Sequence, residues 1–281
     1  MRHRSLSLAL LTATTLASAA QAGTLFMGAY PDSLLVMDEG KKAVTQRIKL
    51  QTGLPTSLRL SSDKKTIYVT TITNSGIEVV DLATRKVTNQ FSLNTGPTRY
   101  RFNGGAPDPT GKLFYTVITQ IDKGVDRFQI SKPKYAVIDL AQKKVVATYD
   151  IAKEDEAGAM GFRSSMVVSD DGKHLYHFRD KVVVLDTSNF KVIERIDLAK
   201  PDAPGLEGVS FGQPLDAISE PGRHVSLFNA TDPYVHNRVF GVARFDLDDR
   251  EFEFTPIGPA QAQMAGLQVT PDGKQAYTVV T

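Results

Sequence analysis

The chain has no cysteine and no tryptophan among its 281 residues, no excess of charge, and no long apolar run. Without cysteine it can form no disulfide, no zinc–thiolate centre and no thiol nucleophile, and it cannot hold haem through a Cys-x-x-Cys-His run. Its longest apolar stretch, Leu6 to Ala17, is shorter than the roughly 20 residues that span a bilayer, so no membrane anchor is expected. Basic residues number 33 and acidic residues 31, and the lysine pairs fall in turns. A concentrated basic face of the kind nucleic acid requires is missing, and no nucleic-acid partner is expected.

That apolar stretch has another reading. Arg2 and Arg4 precede it and Ala20-Gln21-Ala22 follows it, which is the charged start, apolar middle and small-x-small end of a secretory signal. Residues 1–22 are read as a signal cleaved near Ala22/Gly23, and 23–281 as the mature domain. Cleavage removes Arg2 and Arg4 and leaves equal numbers of acids and bases. An exported, near-neutral chain without disulfides fits a bacterial periplasm.

The mature chain contains a repeated phrase. Ser62-Asp63-Lys64-Lys65-Thr66-Ile67-Tyr68, Asp108-Pro109-Thr110-Gly111-Lys112-Leu113-Phe114-Tyr115, Asp170-Asp171-Gly172-Lys173-His174-Leu175-Tyr176 and Pro271-Asp272-Gly273-Lys274-Gln275-Ala276-Tyr277 are copies of it, and Pro221-Gly222-Arg223-His224-Val225-Ser226 is a degenerate one. A second column follows each Tyr strand at Asp81, Asp139, Asp186 and Asp246, with an N-terminal copy at Asp38. An aspartate at a strand end can accept a hydrogen bond from the backbone two residues on, and Asp-Gly supplies the positive φ of a tight turn, so each repeat encodes two hairpins. Short strands at a period of about 40 to 50 residues predict an all-β propeller of four-stranded blades. Four complete repeats run about 55 to 93, 98 to 151, 163 to 198 and 208 to 258. Residues 24 to 50 supply three further strands and 265 to 281 two. The expectation is about five to six blades' worth in this chain, seven in a complete protein, with the chain truncated at its C-terminus; the alternative is a smaller ring closed by the last two strands.

The turn chemistry accounts for most acids, and repeat position for His174, His177 and His224. No Ser-His-Asp set or phosphate loop is evident, and the acidic run Glu154, Asp155, Glu156 is expected to be solvent-exposed. What remains lies in irregular loops. Residues 120 to 134 carry Asp126, Arg127 and Phe128, and residues 229 to 238 carry Tyr234 and His236. Both join a second strand to a third and should emerge on one rim as contact surfaces. Tyr100, Arg101 and Arg163 open inner strands and point to the channel mouth, where the arginines would receive an anion or an acidic partner loop, or pair with Glu154 to Glu156.

Ile67-Tyr68-Val69-Thr70-Thr71 followed by Val79-Val80-Asp81 resembles the repeat of YVTN-type propellers of exported bacterial proteins. The Tyr strand at 113–117, the insertion ending Lys132-Pro133-Lys134-Tyr135, and Val239-Phe240-Gly241-Val242 leading to Phe245-Asp246-Leu247 are similar to the propeller (β) subunit of quinohemoprotein amine dehydrogenase, in the amine dehydrogenase β-chain superfamily. This resemblance implies a seven-bladed periplasmic subunit without catalytic residues or cofactor of its own. Its partner subunits would carry a tryptophan-derived quinone and haem c, and it would shape a substrate pocket at their interface. The lack of Cys and Trp agrees with a cofactor-free chain. The alternatives are a stand-alone binding or interaction propeller of the cell envelope, and a propeller lactonase with calcium in its channel, which would need converging oxygen ligands.

Overall fold

The computed structural model describes residues 23–159, 164–259 and 267–278. The strands fall into six sheets in chain order, antiparallel throughout. The first joins β1 (Thr24–Ala29), β2 (Ser33–Asp38) and β3 (Ala43–Lys49), and the second β4 (Pro55–Leu60), β5 (Thr66–Thr71), β6 (Gly76–Asp81) and β7 (Lys86–Ser92). The third holds β8 (Thr98–Pro107), β9 (Leu113–Lys123), β10 (Phe128–Ile130), β11 (Lys134–Asp139) and β12 (Lys144–Asp150). A four-residue helix, α1 (Lys153–Glu156), leads to the fourth sheet: β13 (Ser165–Val168), β14 (His174–Phe178), β15 (Lys181–Asp186) and β16 (Val192–Asp197). The fifth comprises β17 (Glu207–Pro214), β18 (Arg223–Thr231), β19 (Arg238–Asp246) and β20 (Phe252–Pro259), and the sixth β21 (Leu267–Val269) and β22 (Ala276–Thr278). This is the all-β propeller arrangement that the repeats predict.

Both aspartate columns do what local chemistry requires. Asp139 Oδ1 accepts from the backbone N–H of Ala141 (2.9 Å) and Gln142 (2.7 Å), and Asp186 Oδ1 from Ser188 (2.8 Å). In the other hairpin Asp171 Oδ1 accepts from Lys173 N (3.0 Å) and Ser169 Oγ (2.7 Å). Those two bonds, the serine's first, hold its carboxyl down to about 2. Gly172 takes φ 75° in that turn, and Lys64 takes φ 58° at the same repeat position, at some conformational cost to a side-chain-bearing residue.

Successive sheets pack face to face, so the apolar core is divided among their interfaces. Leu34, Val36, Ile67 and Val69 fill the first; Tyr68, Ile77, Phe114 and Ile138 the second. Tyr115, Tyr135, Met166 and Phe190 fill the third, where Tyr149 stacks on Phe190 at 4.5 Å. The fourth is the most aromatic: Phe178 meets Phe211 at 5.2 Å and Phe245 at 5.4 Å, both edge to face. Fully burying one such ring contributes about 1.5–3 kcal/mol, and a favourable ring pair about 0.5–1.5 kcal/mol more. The tyrosine column joins sheets as well. Tyr176 OH donates to Leu247 O in the turn after β19 of the fifth sheet, and Tyr277 OH of the sixth sheet donates to Glu39 Oε1, beside the first.

At the centre one residue ties four sheets together. Arg59 on β4 donates through Nε to Asp216 Oδ2 (2.9 Å), through Nη2 to Asp216 Oδ1 (3.3 Å), and through Nη1 to the carbonyls of Gly105 and Met166. Asp216, between β17 and β18, also accepts from Leu60 N at 3.2 Å. Burial alone would raise the Asp216 carboxyl, but the Arg59 charge and hydrogen bond outweigh it and hold the pKa below the ordinary 3.8.

Candidate functional site

Strands alternate in direction, so every turn between a second and a third strand emerges on the same rim, together with the connections between sheets. That rim differs in chemistry from the opposite one. Tyr30, Ile72, Val125, Phe128, Ile130, Tyr234 and Val235 are large apolar side chains left more than half exposed, and all lie in these turns or the hairpins that extend them. The opposite rim, built from the two aspartate turns, displays none among the described residues. The remaining exposed large apolar residues, Val44, Val146, Ile193 and Ile257, are on outermost strands. An apolar edge on a rigid scaffold is the surface expected of an interaction site.

Two hairpins dominate it. In the third sheet β8 and β9 continue in register from Phe102↔Ile118 to Thr98↔Asp122, and β10 pairs with the outer part of β9. Thr98 Oγ1 donates to Asp122 Oδ1 (2.5 Å), Gln120 N to Ser131 Oγ (2.9 Å), and Gly124 N to Arg127 O (2.8 Å), which fixes the tip. Asp126 and Arg127 pair at 3.2 Å with both side chains largely in solvent, worth little to stability. Phe128 is 65 % exposed on β10. In the fifth sheet Asp232 Oδ1 caps the tip by accepting from Tyr234 N (2.7 Å), and His236 N donates to Asp232 O (2.9 Å). His236 adopts φ 56° there, so its backbone serves the turn while its side chain faces solvent.

The channel-mouth residues separate. Tyr100 is half-buried against the second sheet: its N–H donates to Asn94 Oδ1 (2.9 Å) and its carbonyl accepts from Ser75 Oγ. Arg101, opposite Thr119 on the other face of β8, is exposed and has no ion-pair partner among the described residues. Arg163 lies outside the described residues.

In the acidic run Glu154 is exposed as expected and Glu156 is partly buried, but Asp155 corrects the expectation of solvent exposure. Asp155 is 1 % exposed, in α1, and its carboxylate takes Arg179 (3.1 Å) and Lys181 (3.0 Å) on Oδ1 and Arg195 (2.8 Å) on Oδ2. Burial by itself would raise its pKa; the hydrogen bonds from Arg195 and Lys181 outweigh that and lower it. The cations come from the β14–β15 turn, β15 and β16 of the next sheet, so the alternative in which the run pairs with Arg101 does not arise. Glu154 meets Arg195 at 3.0 Å and Glu156 meets Lys132 at 2.8 Å.

A serine–histidine contact that sequence reasoning missed lies nearby. Ser164 Oγ is 2.7 Å from His177 Nε2, and Tyr135 OH is 3.1 Å from Nδ1. Burial, reinforced by the Arg179 charge, holds His177 down to about 3, and the same burial pushes the Tyr135 hydroxyl up. A histidine so reluctant to take a proton is a poor general base near neutrality. The trio is a hydrogen-bonded strut between the third and fourth sheets. Its only sequence trace is a histidine flanked by Tyr176 and Phe178 in a buried strand.

No three His, Asp or Glu side chains converge on a metal position among the described residues. No family model matches the chain, and no curated protein matches it in sequence. Among solved structures it is similar to Kuenenia stuttgartiensis hydrazine synthase, with 15% identity over 88% of this chain and 67% of that chain at a TM-score of 0.52. It is also similar to the Cps50 (Swd1) β-propeller domain of Myceliophteria thermophila, with 12% identity over 91% and 76% of the two chains at a TM-score of 0.48. Likeness at such identity concerns the fold alone; the succession of antiparallel sheets described above makes the chain an all-β propeller.

Proposed function

We propose that the protein is an exported, periplasmic interaction propeller that scaffolds a redox-cofactor subunit, as the resemblance to the propeller subunit of quinohemoprotein amine dehydrogenase implies. The observation that carries the docking part of this reading is the segregation of polarity between the two rims: exposed apolar side chains gather on the loop rim, at the tips of two ordered hairpins. Phe128, Val125 and Tyr234 would enter pockets on the partner, and Asp126, Arg127 and His236 would form a polar border around them. The quinone and haem c would belong to the partner subunits, and this chain would contribute a wall of the substrate pocket.

Arg101 favours a second reading, a stand-alone envelope propeller that takes an anionic ligand at the channel mouth, because this cation is exposed and unpaired among the described residues. Co-purification from the native periplasm separates the two. Recovery with a quinone-bearing and a haem-bearing subunit, lost in a Phe128→Ser, Tyr234→Ser variant, is the expected result. A monomer that carries neither partner would overturn the first reading and leave the second.

A further inference from the structure

The projecting hairpin of the third sheet does more than raise Phe128 above the rim. On one face of β9 the alternate residues Ile118, Gln120 and Asp122 line a cavity of about 220 Å³ whose other walls include Gln129, Lys134 and Thr148. Cross-strand register places Tyr100 and Phe102 on the same face as Gln120 and Ile118, and those two rings pack against the second sheet. The cavity therefore opens where the extended sheet rises past its neighbour. Its size is below the roughly 300–1,000 Å³ of drug-sized sites, which suits a small metabolite.

The lining has opposite charges at its two ends. Asp122 is half-buried and held by Thr98 Oγ1 on one oxygen (2.5 Å) and Gln120 Nε2 on the other (2.9 Å). A carboxylate offers about four acceptor positions, so both oxygens keep capacity toward the cavity. Lys134 pairs with Asp150 at 3.0 Å, and an ammonium has three donors, so two remain. Lys134 lies opposite Ile118, four residues along β9 from Asp122, a backbone separation of about 13 Å at roughly 3.3 Å per residue. The Lys134 ammonium leans toward Asp150 on β12, away from β9, so the two charges stay well apart and hydrogen bonds to both ends of a ligand are needed to bridge them.

We infer that this cavity binds a small zwitterion whose charges are several ångströms apart, such as a dipeptide or an ω-amino acid, with its ammonium on Asp122 and its carboxylate on Lys134. Gln120 and Ser131, which lie between the two charges in the strand register, bond the polar middle, and Ile118 gives it an apolar floor. The site is independent of rim docking, since Phe128 and Tyr234 are not among its walls.

Calorimetry on the full chain with glycylglycine and with 4-aminobutanoate tests this. Both bind at millimolar concentration or below, and acetylating the amine or amidating the carboxylate of glycylglycine weakens binding at least about tenfold, the loss of one charge-assisted contact. Asp122→Asn and Lys134→Met each weaken it similarly with an unchanged urea midpoint, and Phe128→Ser leaves it intact. Absence of heat with both probes at millimolar concentration, or affinities indifferent to both substitutions, overturns the inference.

Discussion

Replacing Asp216 with alanine should strand a buried guanidinium. The Arg59 side chain is 8 % exposed, and Asp216 supplies both bonds to its Nε and Nη2 atoms as well as the acceptor for Leu60 N. After the substitution only the carbonyls of Gly105 and Met166 remain to Arg59. Removing one partner of a buried ion pair costs about 3–5 kcal/mol, because the surviving charge is left uncompensated. For a chain of this size each kcal/mol lowers Tm by roughly 2–4 °C, so the variant should melt about 6–20 °C lower. Urea unfolding followed by circular dichroism would show the midpoint fall with the slope unchanged. The double variant Arg59→Met, Asp216→Leu should recover most of the loss, since apolar replacements remove both desolvation penalties. A cost for Asp216→Ala below about 1 kcal/mol, the range of an exposed pair, would refute the account of the hub, as would a double variant no better than the single one.

Acid should destabilise the fold through two buried imidazoles. His177 falls from 6.5 to about 3, by burial and then Arg179, and His224 from 6.5 to about 4, by burial and then Arg59. Because the unfolded chain takes up these protons first, the stability they confer is whole above pH 6.5 and declines as pH falls toward 3. The His177 share alone is roughly 5 kcal/mol at 1.36 kcal/mol per pH unit; urea midpoints that stay level between pH 7 and 4 would contradict it. Gly105→Ala should destabilise by about 1–3 kcal/mol, since φ is 145° and a Cβ would lie 2.4 Å from the Phe114 ring; a thermal melt matching wild type would count against that packing. Phe128→Ser should change stability by no more than about 0.5 kcal/mol while releasing the docked subunit, so a large drop in Tm would assign Phe128 to the core instead.

The blade pattern was legible because its chemistry is local. Asp139 and Asp171 each bond to the backbone N–H two residues on, and such a signal survives in a bare sequence. The rim hairpins were legible as irregular spacing between copies. The hub was not: Arg59 and Asp216 are 157 positions apart, and each alone reads as an ordinary charge in a strand or a turn. Asp155 misled for the same reason. Its charged neighbours suggest solvent, but its partners Arg179 and Arg195 stand 24 and 40 residues later, on strands whose proximity only the fold creates. The cavity beside β9 draws its lining from β9, β10, β11 and β12, and Gln120 and Asp122 carry no motif that marks them in advance.

The hub also sets an order of events. Hairpins within a sheet join residues close in sequence and close quickly, whereas the Arg59–Asp216 tie spans a loop of 157 residues whose closure entropy is met only after intervening sheets have formed. It is therefore expected to form on the late side of the folding barrier. Contacts made there leave the refolding rate nearly untouched and act on unfolding, so the Arg59–Asp216 tie should act as a latch that sets how long the four sheets it joins stay together.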